Sequence, residues 1–246
     1  SVPKERYDLA LYLFNVKKIK IYRSSKGSFN GSQNILLPLS RIRKRYKDIK
    51  IKGMIKTICI YCASSTQIDP VYFDHARLLG RQLAEAHIRI VNGAGNIGLM
   101  GAVSDAALDA GGEVTGVIPR FMVEQGWNHP GLTETIVVND MHERKQTMAR
   151  LSDAVIALPG GYGTLEELLE IITWKQLGLY LNPIVILNTN GYYDPLLLMF
   201  EKAVEGRFMR PLHADLWAVA HTPDEAVHLV QTLPVYDKNI RQVAKY

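Results

Sequence analysis

Residues 153–158 form an apolar run of strand length that stops at Pro159, and Gly160, Gly161 and Gly163 then confine the chain to a tight turn. Past the turn, Thr164 opens a helix with apolar side chains at Leu165, Leu168, Leu169 and Ile172, the spacing of one helical face. A glycine turn between a buried strand and a helix leaves several backbone N–H groups unpaired and directed outward. With the positive end of the helix dipole they form an anion site suited to phosphate. The missing Cβ atoms let a ligand approach the backbone closely. No Lys-Ser/Thr pair follows the last glycine, which excludes a Walker A loop. Two acids, Glu166 and Glu167, lie just inside the helix. Acids in a first turn complement the dipole, but a phosphate on this turn repels them. At least one is therefore expected to point away from the phosphate, or toward a part of the ligand that becomes positive.

Strand and helix alternate along the rest of the chain. Apolar strands are expected at 57–63, 88–91, 113–118, 135–138, 183–187 and 216–220. Helices are expected at 69–87, where Asp69 and Pro70 suit the cap and first position, and at 99–110, stopped by Gly111 and Gly112. Further helices are expected at 142–151, 195–205 and 223–232, and a long loop at 119–133. The fold class is therefore α/β: a Rossmann-like, doubly wound parallel sheet with helices on both faces. Ligands of such sheets sit at the strand carboxyl ends, where every glycine loop of this chain lies.

Net charge averaged over the 246 residues is +5, which conceals an asymmetry. Residues 1–56 carry 15 Lys and Arg against 3 Asp and Glu, which leaves 14 against 21 for the remainder. The part expected to fold is mildly acidic, so a basic nucleic-acid surface is not indicated there. The segment 1–53 includes the run RIRKRYK at 41–47. It reads as a targeting segment, as a nucleic-acid or membrane-binding arm, or as a dispensable, non-native leader before a start at Met54; the last reading is preferred. Residues 54–246 then form one domain. No apolar run reaches the ~18 residues of a membrane span. Cys59 and Cys62 form a literal CxxC, but on a strand residues three apart face opposite sides, so both are read as buried hydrophobes. No second Cys or His pair stands at zinc spacing, so no metal is implied, and a reducing cytoplasm is the default compartment.

Gly93, Gly95 and Gly98 make a literal GxGxxG after the second strand. A dinucleotide-dependent oxidoreductase is kept as a third reading, with two grounds against it. The fingerprint normally follows the first strand, and the next strand has its only acid, Glu113, at its start instead of its end. Residues 141–145 read MHERK. In isolation Arg144 and Lys145 are a solvated basic pair. Yet basic residues do not favour a helix start, and this pair follows a strand carboxyl end on the same rim as the glycine turn. His142 is read as a capping or packing histidine.

PGGYGTLEE at 159–167, with MHERK upstream, resembles the LOG ("lonely guy") family of cytokinin-activating nucleoside 5′-monophosphate phosphoribohydrolases, sometimes mislabelled as lysine decarboxylases. The resemblance covers about 57–233 and does not extend into residues 1–53. It implies hydrolysis of a purine nucleotide to free base and ribose 5-phosphate, with no metal or cofactor, through an oxocarbenium-like sugar. Carried over residue by residue, Arg144 and Glu167 match the catalytic pair and Lys145 a substrate contact; Thr173 either matches a further family contact or is an ordinary helix-face residue, and Glu166 is a further candidate substrate contact. The backbone of Gly160, Gly161, Tyr162, Gly163 and Thr164, with the Thr164 hydroxyl, would take the 5′-phosphate. Gly93, Gly95 and Gly98 would form a close-approach loop. The resemblance also implies a homodimer or higher oligomer, its site completed by a neighbouring chain. The chain departs from the family pattern at Asn92, usually aromatic, at Ala94, usually glycine, and at Gly126, usually a substrate-binding Glu. Near the last, Glu124 is the nearest acid, and Trp127 either stacks on a base or packs in an interface. Cytokinin nucleotide and plain AMP both remain open as substrates, and a nucleotide-binding sensor or carrier without turnover is the alternative reading.

Overall fold

Short runs of Ile, Val, Leu, Ala and Cys build the strands, and their alternation decides which face of the sheet each residue enters. The computed structural model describes residues 55–236, all within the second of the two units into which the chain divides, Asp48–Tyr246. The readings of residues 1–53 and of a start at Met54 fall outside the described residues.

The strands are β1 (Thr57–Tyr61), β2 (Arg89–Asn92), β3 (Val114–Pro119), β4 (Glu134–Val138), β5 (Ala154–Ala157), β6 (Ile184–Leu187) and β7 (Ala218–Ala220). They form one sheet in the order β4-β3-β2-β1-β5-β6-β7, and every neighbouring pair is parallel. The helices are α1 (Pro70–Glu85), α2 (Gly98–Asp109), α3 (Arg120–Glu124), α4 (Met141–Leu151), α5 (Tyr162–Gln176), α6 (Asp194–Glu205) and α7 (Pro223–Thr232). Among the described residues no helix is long and apolar enough to cross a membrane.

Each face of the sheet carries its own apolar cluster. Ile58 and Ile60 of β1 meet Leu79 and Leu83 of α1, Leu99 and Val103 of α2, and Ala226 and Val230 of α7. Cys59 and Tyr61, one residue out of phase, meet Met148 of α4 and Leu168 and Ile171 of α5 on the opposite face. The chain builds outward from β1 through β2, β3 and β4, then crosses back to lay β5 on the other side of β1. That reversal falls between β1 and β5, and the carboxyl ends of strands at such a switch point are the usual ligand position in these sheets.

Two expectations need correction. The span 119–133 is not all loop, since five residues after Pro119 form α3; one turn is too short to show a helical period. The helix after the glycine turn begins at Tyr162, two residues before Thr164, with Gly161 as its N-cap. The first-turn residues of a helix need no intrahelical acceptor, so Gly163 does not delay the start.

Both cysteines are free and buried, and burial pushes both thiols above their ordinary range. The native chain is therefore expected to react at neither thiol with an aromatic disulfide reagent and at both once unfolded in denaturant. Reductant should leave the thermal midpoint unchanged. A native thiol titre above zero would contradict the placement of Cys59 and Cys62 on opposite apolar faces.

Candidate active site

The β5–α5 turn offers backbone donors without acceptors. None of the N–H groups of Gly160, Gly161, Tyr162, Gly163 and Thr164 donates a hydrogen bond among the described residues; the first bond of the helix runs from Leu165 N to Gly161 O at 3.0 Å. Gly161 caps α5 in an extended conformation without a side-chain bond. Gly160 has a steric reason to be glycine, because a Cβ there would overlap the Thr164 side chain. A Cβ at Gly161 or Gly163 would meet only open space, so these two leave the surface above the turn clear. Thr164 is buried and Tyr162 is 94% exposed.

Beside the turn, two consecutive basic residues of α4 pair with two consecutive acids of α5. Arg144 Nη1 donates to Glu167 Oε1 at 3.0 Å, and Arg144 Nε donates to the Val117 carbonyl of β3 at 3.1 Å. Both side chains are buried, at 8% and 7% exposure. Glu167 Oε2 has no hydrogen-bond donor among the described residues. Burial raises the Glu167 carboxyl above its ordinary value, and the Arg144 charge pulls the other way. Lys145 Nζ pairs with Glu166 and, at 3.1 Å, with Glu170. Burial pulls this ammonium down, but the two carboxylates outweigh that and hold it above its ordinary range. The two acids thus divide as their position requires: Glu166 turns outward to Lys145, and Glu167 turns inward to Arg144.

α4 is directed here by its cap. Asp140 Oδ1 accepts from His142 N and Glu143 N, both at 2.8 Å, and Glu143 reaches back to Asn139 N at 2.8 Å. These bonds hold the Asp140 carboxyl below its ordinary range, the Glu143 N–H contributing most. His142 is neither cap nor packing residue: the cap is Asp140, and the His142 side chain is exposed.

The glycines of the loop after β2 make close approaches within the protein itself. A Cβ at Gly93 would overlap the Arg144 guanidinium, and one at Gly98 would overlap the Ser64 backbone. Gly93 thus makes room for Arg144, and Gly98, at φ +65°, lets the loop lie against the chain leaving β1. Gly95 N donates to Met100 Sδ at 3.0 Å. Ala94 has φ +63°, a left-handed conformation that favours glycine. Asn92 holds it there: its Oδ1 accepts from Ala94 N at 2.9 Å while its Nδ2 donates to Ser104 at 2.8 Å. The segment carrying Trp127 docks on this loop through a Gly95–Asn128 bridge and a His129 N to Ala94 O bond of 2.7 Å. Trp127 itself is 52% exposed.

The fold therefore gathers Gly93, Arg144, Lys145, Glu166 and Glu167 beside the turn 160–164. Thr173 stands apart, exposed, its hydroxyl donating to Leu169 O at 2.8 Å. Sequence reasoning did not single out Glu170, although its position one turn after Glu166 is a local signal. It also passed over Asn92 as a loop-holding residue, along with Tyr192 and Tyr193. The last two reach the turn from more than thirty residues away, with nothing local to mark them.

A parallel sheet whose carboxyl edge carries free N–H donors beside a buried Arg–Glu pair defines an α/β protein with a candidate anion site. Residues 100–230 match the family described as "Possible lysine decarboxylase". The chain is 45% identical over 186 residues to cytokinin riboside 5′-monophosphate phosphoribohydrolase LOG5 of Arabidopsis thaliana, covering 76% of this chain and 80% of that protein. It is 43% identical over 191 residues to LOG1 of the same plant, covering 77% and 90%. Among solved structures it is similar to the molybdenum cofactor binding protein of Rippkaea orientalis, with a TM-score of 0.57 at 23% identity over 74% of this chain and 99% of that one. The molybdenum cofactor carrier protein of Chlamydomonas reinhardtii gives 0.57 at 23% over 72% and 97%. At that identity the likeness is one of fold. The chain belongs to the LOG family, within the group that carries the lysine decarboxylase description.

Gly93→Ala forces the buried guanidinium to move, and overpacking of this kind costs about 1–3 kcal/mol. A lower denaturation midpoint in urea is expected, whereas Gly161→Ala, which meets open space, should change it little. Equal midpoints for Gly93→Ala and wild type would contradict the packing of Arg144 on Gly93.

Proposed function

We propose that the chain hydrolyses the N-glycosidic bond of a purine nucleoside 5′-monophosphate, of cytokinin type or AMP itself, releasing free base and ribose 5-phosphate. One observation carries this reading. Glu167 is buried, with one oxygen held by Arg144 and the other without a donor, on the helix whose first turn offers unpaired N–H groups. Glu167 lies five positions after Tyr162, about 7.5 Å along the helix axis. That offset lets the phosphate sit on the turn while the sugar lies over the carboxylate.

In this reading the backbone of residues 160–164 and the Thr164 hydroxyl bind the 5′-phosphate. Glu167 Oε2 stabilises the cationic sugar and orients the attacking water. Arg144 fixes Glu167 and faces the ribose hydroxyls or phosphate, and Lys145, positioned by Glu166 and Glu170, adds positive charge on the phosphate side. The bond from C1′ to the base nitrogen breaks with its electron pair leaving on the base, whose departure is assisted by protonation. Water adds to C1′ and gives up a proton. Trp127 is half-exposed on the segment bound to Ala94 and Gly95, which supports a stacking contact with the base or an interface between copies. Exposed Leu169, Leu177 and Leu179, along and just past α5, support association of copies over this helix, and light scattering reads the resulting mass.

Incubation with AMP and with N6-isopentenyl-AMP, following free base by chromatography, tests the activity and ranks the two substrates. Glu167→Ala is expected to lower the rate about 10²–10⁴-fold. Tight AMP binding with no base released from either nucleotide would leave a binding protein without turnover.

Stability should respond to pH at the same residue. A carboxyl raised in the folded state contributes stability that is full below its ordinary value of 4.5 and is lost as pH rises through the folded value. Glu167→Gln keeps the shape and removes the charge. Its thermal midpoint is expected to match wild type in acid and to exceed it at neutral pH, while hydrolysis is lost. A variant less stable than wild type at neutral pH would instead mean that the Arg144 pairing outweighs burial.

A further inference from the structure

The free N–H groups of the β5–α5 turn face outward because their partner carbonyls are tied down from behind. Leu158 O accepts the Tyr193 hydroxyl at 2.6 Å, Pro159 O accepts Ala63 N at 3.1 Å, and Gly160 O accepts the Tyr192 hydroxyl at 2.7 Å. In a trans peptide the C=O and the following N–H point in opposite directions. Holding the carbonyls of Pro159 and Gly160 therefore aims the N–H groups of Gly160 and Gly161 the other way. The two tyrosines arrive on a rigid support after β6. Asn188 is buried; its Oδ1 accepts from Tyr193 N at 2.7 Å and its Nδ2 donates to Asp194 at 2.8 Å. The backbone reverses through left-handed Asn190 and Gly191, at φ +53° and +72°. The Tyr192 ring is set edge-on against Tyr72, at 5.9 Å, and against Tyr193, at 5.0 Å.

Resting on the phosphate reading above, we infer that Tyr192 is a positioning residue for phosphate recognition. Its hydroxyl fixes the Gly160–Gly161 peptide so that the turn presents its donors to the 5′-phosphate. A glycine pair has more backbone freedom than any other, so a turn lacking this bond samples orientations in which the N–H of Gly161 is misdirected. Tyr193 belongs to the apolar core at 1% exposure, whereas Tyr192 is 41% exposed. The hydroxyl of Tyr192 can therefore be removed with its ring contacts kept.

The test is Tyr192→Phe, with inhibition constants measured for ribose 5-phosphate and for adenosine, which lacks the phosphate. The expected result is a roughly tenfold weaker constant for ribose 5-phosphate, about 1.4 kcal/mol, with the adenosine constant and thermal midpoint unchanged. The KM for AMP should rise by a similar factor while kcat holds. Tyr72→Phe is the control, since the Tyr72 hydroxyl makes no hydrogen bond among the described residues; it should change neither constant. Unchanged ribose 5-phosphate inhibition in Tyr192→Phe would overturn the inference alone. Equal weakening of both inhibitors would reduce Tyr192 to a structural role and overturn it too. A wild-type chain that ribose 5-phosphate does not inhibit would overturn the phosphate reading on which it rests.

Discussion

The burial of the Arg144 guanidinium, against Glu167, Val117 and Gly93, is the constraint on which the rest of this structure depends. Removing two charges from water costs several kcal/mol per ion, and such a pair survives when good geometry and further hydrogen bonds offset that cost. Here the guanidinium meets that condition by bonding to Val117 of β3 and lying on Gly93 after β2. One side chain from α4 thus touches β3, the loop after β2 and helix α5, tying together both halves of the sheet. Removing any one support leaves a buried charge with an incomplete shell.

Such a meeting needs the strand order observed. β2, β3 and β4 extend from one side of β1 and β5 lies on the other. The helices that follow β4 and β5 can both pack on one face there, bringing their first turns together at that switch point. The same face carries the apolar cluster of Met148, Leu168 and Ile171, so hydrophobic burial brings the polar groups into register. The opposite face, with Leu79, Leu83 and Val103, fixes the loop after β2 through α2. The Arg144–Glu167 pair and the glycine turn are thus separate local arrangements on one helix, each supported from a different neighbour.

Sequence reasoning and structure part for three reasons: backbone geometry at a helix entry, distance along the chain, and an element too short to show a period. The cap of α4 lay one residue outside the MHERK motif, at Asp140, because capping is decided by backbone geometry at the helix entry. Gly93 was legible as a residue that permits close approach. Its neighbour, though, is the protein's own Arg144, because the partner comes from 51 positions away. α3 escaped notice because a five-residue helix has no period to detect.

By itself the sequence determined the alternation of strand and helix, the parallel sheet with two apolar faces, and the glycine turn with its outward donors. These follow from local rules: a period of two or of 3.6, and residues that break or cap. Only the tertiary structure decided that Arg144 bonds Glu167 and Lys145 bonds Glu166, that Asn92 holds Ala94 in a left-handed turn, and that Tyr192 and Tyr193 restrain the turn from behind. Those contacts join segments whose spacing in the chain has no physical bearing on their spacing in space until the sheet is assembled.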